Sequence, residues 1–289
     1  MQIFAASTLV VLLGTGNPGP LPERSGPATA VVVDDVAYLI DFGPGVVRRA
    51  FGAFRDKKIE ALDPVKLRVA FATHLHSDHT VGYADLIFTP WTIGRRVPLE
   101  VYGPKGIKAM TEHVIAAYGA DIATRTNPEG NQHEFPQGAA ANAHEIGPGV
   151  IYKDAKVTVT AFTTKHAMES YGYRFDTPDR SIVISGDTNP TQATIDACSG
   201  CDVLIHEVLT HEWLAKRPDF HAYAAQFHTT TAQLTQLATQ AKPGLLILYH
   251  ASLSLRPAVD SERSTPAALL NEMSRYPGRV VVGRDLDVY

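Results

Sequence analysis

A chain of 289 residues suffices for one large α/β domain that buries most of its unfolded surface without disulfide or metal staples. Its 45% hydrophobic and 19% charged residues are ordinary for a soluble globular protein, and a formal charge of −4 argues against a nucleic-acid partner, whose phosphates usually demand a basic surface. No apolar run reaches the roughly 18 residues that span a bilayer, so no membrane partner is expected.

In chain order, Met1–Leu13 is apolar enough to imitate a secretion signal, yet it lacks a basic leading region and a clear small-residue cleavage site. Thr8–Leu13 running into Gly14-Thr15-Gly16 reads instead as a first buried strand and its turn. The expected location is soluble: cytoplasmic or, if a leader was removed, periplasmic or secreted. Gly14-Thr15-Gly16-Asn17-Pro18-Gly19 matches the dinucleotide fingerprint G-x-G-x-x-G, but that site needs a helix opening at these glycines. Pro18, Pro20 and Pro22 deny it backbone donors and helical geometry, and a nucleotide site is rejected.

Ala30–Val33 and Val36–Ile40 form a predicted hairpin across Asp34-Asp35, and Leu67–Ala72 a further strand. Asp121–Gly149 is polar and rich in turn residues (Asn127, Pro128, Gly130, Pro136, Gly138), which predicts a long loop serving as lid or substrate wall. Val157–Phe162, Tyr171–Phe175, Ser181–Ser185, Val203–Ile205 and Leu245–Tyr249 are short β-rich runs. Before the last of them Thr230 and Gln233 make a capping box. Leu234, Leu237, Ala238 and Ala241 then share one helical face, and Pro243-Gly244 ends the helix. Strands alternating with helices predict an α/β fold in a single domain spanning 1–289. Cys198 and Cys201 form a C-x-x-C pair with no second pair to complete a zinc site. They are assigned to structure: a turn or, in an oxidising compartment, a local disulfide.

The strongest chemical signal is Thr73-His74-Leu75-His76-Ser77-Asp78-His79-Thr80, directly after the strand Leu67–Ala72. Four possible ligands within six residues cannot all face one ion from a continuing strand or helix. From a loop past a strand end they can be shared between two. Imidazoles with a carboxylate suit zinc or a similar first-row metal, whereas calcium and magnesium sites are built mainly of oxygen. A solvated histidine-rich loop is the bland alternative, and H-x-H-x-D-H behind a buried strand argues against it. His166, Asp187 and His250 follow the strands Val157–Phe162, Ser181–Ser185 and Leu245–Tyr249. Strand ends gather on one rim of a sheet, where α/β enzymes place their sites.

Leu12–Gly16, Leu39–Gly45, the His74–His79 motif, His166, Ser185–Thr188 and His250 resemble, in order and over nearly the whole chain, the metallo-β-lactamase fold hydrolases. The resemblance implies a four-layer αβ/βα sandwich, two mixed β-sheets flanked by helices, with two zinc ions (manganese or iron as alternatives) on one edge. It puts His74, His76 and His166 on one ion, Asp78, His79 and His250 on the other, and Asp187 as bridge; Asp78 also counts as a catalytic carboxylate. The ribonuclease Z-like branch fits best. Its members carry a His-Glu pair after a strand and a further histidine opening a helix, matched here by His206-Glu207 and His228. The implied chemistry is attack by a hydroxide shared between two cations, with His228, oriented and kept cationic by Glu207, protonating the leaving oxygen. A structural hydrogen bond is the plainer reading of that pair, and His206 is given a supporting or structural duty.

Ribonuclease Z enzymes that process transfer RNA carry a long arm between the positions matched by His166 and Asp187. Here Tyr171–Phe175, a turn at Pro178 and the next strand fill that interval. The Gly-Glu-Gly-Thr-Gln turn common in those enzymes is Gly43-Pro44-Gly45-Val46-Val47. Pro44–Arg49, Thr89-Pro90-Trp91 and Gly283–Asp287 look closer to arylsulfatase-like members. The expected function is therefore hydrolysis of a small-molecule ester: sulfate ester, phosphodiester or carboxylic ester. The alternative is an RNA 3′-end endonuclease of ribonuclease Z type without the arm; a β-lactamase or an idle metal-binding scaffold is more remote. Trp91, Phe135 and Tyr171 are candidate substrate contacts, with core packing the stronger reading for each. His206-Glu207 with His211 mimics a zincin, but H-E-x-x-x-H turns the second histidine about 100° too far on a helix. An acid usually stands at the position of His76 in diiron electron-transfer members, which argues against a redox role. Similar proteins suggest a homodimer.

Overall fold

The computed structural model of the chain describes residues 8–130, 132, 134–251, 253 and 264–289, which fold as two compact units. The first comprises the strand before Thr15, Ser25–Ile146 and Asp285–Tyr289; the second, Thr15–Arg24 and Gly147–Arg284.

In the first unit six strands pair in chain order: β1 (Thr8–Gly14), β2 (Ala28–Val33), β3 (Val36–Ile40), β4 (Val69–Phe71), β5 (Leu99–Gly103) and β6 (Ala141–Glu145). β1 to β3 are antiparallel and β3 to β6 parallel, so the sheet is mixed. Every residue of β2 is buried, in keeping with a sequence that is apolar at every position but Thr29 rather than alternating. The helices are α1 (Val46–Lys57), α2 (Ser77–Thr80), α3 (Tyr83–Thr92), α4 (Ile107–Ala117) and α5 (Gly119–Thr126). α1 turns Val46, Val47, Ala50 and Ala53 onto Val11, Leu13, Ala30 and Leu39, and α3 adds Leu86, Ile87 and Trp91 to the same core.

Arg95 is buried in this core, where its guanidinium donates to the carbonyl oxygens of Leu67, Leu86, Ile87 and Gly138. Burial lowers its pKa to about 10, which still leaves it cationic at neutral pH. Through it α3, the lead-in to β4 and the segment before β6 are tied to one side chain.

The segment Asp121–Gly149 is not the continuous loop its composition predicts. α5 covers its start, a 3-10 turn occupies Pro136–Ala139, and β6 pairs with β5. Trp91 Nε1 donates to Phe135 O, and Arg95 holds Gly138. Turn residues here separate short elements that tertiary hydrogen bonds fix in place. Trp91 is fully buried, and Tyr171 is buried with its hydroxyl donating to Glu169, so both belong to packing; Phe135 is exposed beneath the Arg96 guanidinium.

The second unit has seven strands, again in chain order: β7 (Gly149–Lys153), β8 (Thr158–Thr163), β9 (Tyr171–Asp176), β10 (Ser181–Ile184), β11 (Val203–Glu207), β12 (Leu245–Tyr249) and β13 (Val280–Val282). β7 to β10 are antiparallel and β10 to β13 parallel. Its helices are α6 (Gln192–Cys198), α7 (His211–Ala215), α8 (His221–Phe227), α9 (Thr231–Ala241) and α10 (Pro266–Glu272). α9 carries both halves of the expected capping box and packs Leu234, Leu237, Ala238 and Ala241 against Leu204, Leu246 and Leu248. Cys198 and Cys201 form a disulfide across the tight turn that ends α6. The expected class, two mixed sheets flanked by helices, is what the chain adopts. Among the described residues no helix is long and apolar enough to cross a membrane.

Candidate active site

In the first unit, the signature motif divides at His76. β4 ends at Phe71, His74 and His76 lie on an extended segment, and Asp78 and His79 ride on the single turn of α2. The expected loop is therefore half loop, half helix. His74 and His79 are fully buried.

One carboxylate orders these histidines. Asp41 leaves β3 in a left-handed conformation (φ 60°) and is itself buried. Its Oδ1 accepts from Thr73 N at 2.7 Å; its Oδ2 accepts from Thr73 Oγ1 at 3.0 Å and His79 Nδ1 at 2.8 Å. The proton of His79 is thereby fixed on Nδ1 and its lone pair on Nε2, which lies 3.6 Å from Asp78 Oδ2. Since the Thr73 hydroxyl donates to Asp41, it accepts from His74 Nδ1 at 3.0 Å, so His74 also presents an Nε2 lone pair. That atom stands 3.0 Å from His76 Nδ1. Buried imidazoles oriented through an outer carboxylate, beside an aspartate, are the donor set that zinc or a similar divalent ion takes. The residues fit such an ion.

Backbone proximity fixes the same turn. A Cβ on Gly43 would come within 2.4 Å of Asp78 O, and one on Gly26 within 2.8 Å. Asp41 and Gly43 belong to the Leu39–Gly45 stretch of the resemblance, but no role for either was legible. The available signal was an acid at a strand end followed by two glycines.

The second unit presents the remaining predicted residues. His166 Nδ1 donates to Phe227 O at 3.1 Å, so in the neutral ring Nε2 carries the lone pair. Asp187 follows β10 through Gly186 (φ 60°). His250 leaves β12 with φ 54°, its N–H bonded to Thr15 O, and its Nε2 is 3.5 Å from Asp187 Oδ1. The loop that mimicked a nucleotide fingerprint thus supports a histidine, and no helix opens at its glycines.

Glu207, fully buried at the end of β11, accepts through Oε1 from Thr188 N at 2.8 Å and His228 Nδ1 at 2.9 Å. His166, Asp187 and His228 each offer an atom within 4.8 Å of the others. His206 lies on β11 with its Nδ1 donating to the Glu207 carbonyl; burial pushes its pKa down, so it is neutral and structural. His211 opens α7 while His206-Glu207 sit on a strand, which removes the zincin resemblance.

Residues 37–251 match the family described as the beta-lactamase superfamily domain. Over 284 residues the chain is 31% identical to ribonuclease Z of Mycobacterium sp. (strain KMS), covering 96% of this chain and 94% of that one. Among solved structures, the metallo-beta-lactamase fold protein YhfI from Bacillus subtilis superposes with a TM-score of 0.74 at 18% identity, covering 98% of both chains. Human tRNase Z, short form, gives 0.69 at 20% identity, covering 97% of this chain and 98% of its own. With the family model matched over residues 37–251 and a relative 31% identical along 96% of its length, the chain belongs to the beta-lactamase superfamily of metal-dependent hydrolases.

Proposed function

We infer that the protein is a metal-dependent phosphodiesterase that cleaves RNA near a 3′ end, a reading that takes the place of the small ester expected from sequence. The observation that carries it is the buried Glu207–His228 contact beside His166 and Asp187. Kinship with proteins named ribonuclease Z along 96% of the chain favours RNA as the substrate.

His74, His76 and His166 would hold one divalent ion, Asp78, His79 and His250 a second, with Asp187 shared. Zinc suits this set; manganese and iron are compatible with it. When bound, such ions supply Lewis acidity and a water acidic enough to ionise near neutral pH. The protein does the rest. Asp41 and Thr73 keep His74 and His79 in the tautomer that ligates, and Asp78 adds a negative charge at the reacting face. Glu207 orients His228 through Nδ1, and from the protonated ring Nε2 would deliver a proton to the leaving oxygen. In the cationic ring both nitrogens carry protons, and the carboxylate offsets the charge.

A second reading, a small-molecule ester hydrolase, is favoured by the hairpin between β9 and β10. Asp176 pairs with Ser181 across a turn closed by Thr177 N to Arg180 O, which leaves no room for a transfer-RNA arm. Parallel assays of the zinc-loaded protein on precursor transfer RNA, bis-aryl phosphate, aryl sulfate and aryl acetate decide. Preferred cleavage of the RNA at its 3′ side is expected. Dominant turnover of the sulfate or acetate, with the RNA left intact, overturns the phosphodiesterase reading.

A further inference from the structure

Between Glu207 and His228 the chain inserts α7, a 3-10 turn at Pro218–Phe220, and α8. This insert has a small core of its own, in which Leu209, Leu214 and Ala224 are buried and Trp213 and Phe220 pack against them. Its aromatic side chains do not fill an interior. Trp213, Phe220, Tyr223 and Phe227 are all half-buried. They nevertheless form a continuous run: ring centroids are 5.2 Å apart from Trp213 to Phe220, 5.1 Å from Phe220 to Tyr223, and 5.0 Å from Tyr223 to Phe227.

The run ends on the two histidines. Phe220 and Tyr223 lie 5.9 and 5.4 Å from the His228 ring, while Tyr223 and Phe227 lie 6.5 and 6.1 Å from His166. Four partly exposed aromatic side chains in contact with one another present a contiguous apolar patch to water, the kind of surface that marks a binding site rather than a plain connection. Placed beside an acid, the same surface has a use.

We propose that Phe220 and Tyr223 form a stacking platform for a planar aromatic ring carried by the leaving group. That ring is either a base on the departing ribose or the aryl group of a small ester. The assignment rests on the phosphodiesterase reading above, because it needs His228 as the acid. A ring held against Phe220 and Tyr223 keeps the attached oxygen within reach of the neighbouring imidazole. Stacking of this kind accepts any base, since every base has a π-face, and so it selects planarity rather than sequence. The effect falls on binding: loss of one platform ring raises KM about three- to tenfold for ring-bearing substrates and leaves ring-free ones unaffected.

The test is calorimetric binding of two matched pairs to the zinc-loaded protein: phenylphosphonate against cyclohexylphosphonate, and adenylate against ribose phosphate. The planar member should bind about three- to tenfold more tightly in at least one pair. Tyr223→Leu and Phe220→Leu should each remove that difference, and Tyr223→Phe should keep it. A preference within the phosphonates alone assigns the platform to aryl esters; one within the nucleotide pair alone assigns it to bases. Equal affinities within both pairs, or equal weakening of planar and non-planar members in both leucine variants, overturns the platform. Turnover of bis(nitrophenyl) phosphate and precursor transfer RNA by the same preparation separates the two claims. Ring preference without turnover refutes the phosphodiesterase reading, and turnover without ring preference refutes the platform alone.

Discussion

Replacing Asp41 with asparagine preserves shape and exchanges one acceptor for a donor. The wild-type carboxylate accepts from Thr73 N, Thr73 Oγ1 and His79 Nδ1 at 2.7, 3.0 and 2.8 Å. An amide keeps its oxygen for the Thr73 N–H and turns its NH2 towards the other two. His79 must then present a lone pair on Nδ1, and its proton moves to Nε2, the atom a metal needs. The Thr73 hydroxyl, now accepting from the amide, donates to His74 Nδ1 and switches that ring too. Losing an outer partner of this kind lowers metal affinity about 10–100-fold, or about 1.4–2.7 kcal/mol. Zinc affinity measured by competition with a chromogenic chelator should fall by that factor in Asp41→Asn. A thermal melt of the metal-free protein, expected within a few degrees of wild type, separates this from loss of fold. Wild-type zinc affinity in Asp41→Asn would show that this carboxylate does not set the tautomers, and the reasoning would fail.

His228→Ala should retain zinc while turnover drops about 10²–10⁴-fold, whereas Asp187→Ala should lose both together. Full zinc loading of Asp187→Ala in elemental analysis refutes its role as a shared ligand. Arg95→Met strands the carbonyls of Leu67, Leu86, Ile87 and Gly138 in the core and should lower the unfolding free energy by about 3 kcal/mol or more; an unmoved urea midpoint contradicts this. Burial keeps His206 neutral in the folded chain, while the unfolded chain takes up the proton near the ordinary pKa of 6.5. Its stabilisation is complete above that pH and is lost as the pH falls below it, by at most about 1.4 kcal/mol per pH unit. His206→Gln should therefore flatten the acid limb of stability against pH by up to one proton, and an identical slope would disprove it.

Much of the architecture was legible because its signals are local. β12 matches the run Leu245–Tyr249, and the Thr230–Gln233 box sets the start of α9. Runs of β-branched and leucine residues bounded by turns, and a cap that bonds within three residues, need no distant partner to be read. The metal-ligand candidates were legible for a related reason: histidine and aspartate after a strand end are unusual enough to stand out. What stayed hidden depends on contacts remote in sequence. Asp41 acquires its role from Thr73 and His79, and Arg95 from four carbonyls on separate segments. Phe220 and Tyr223 carry no signal in the sequence, and their setting emerges only where their rings are seen against His228. Asp121–Gly149 misled because prolines and glycines between short elements resemble those within a long loop.

Asp41 and His250 both turn off their strands through left-handed backbone, a corner that non-glycine residues enter reluctantly. Backbone geometry at those positions therefore restricts replacement on top of the donor each must supply. Asparagine or glycine can hold the corner but not the chemistry, and valine, isoleucine or threonine can hold neither without bending the chain. A library that randomises these two sites to alter metal preference should return no β-branched survivors, whichever ion is selected for.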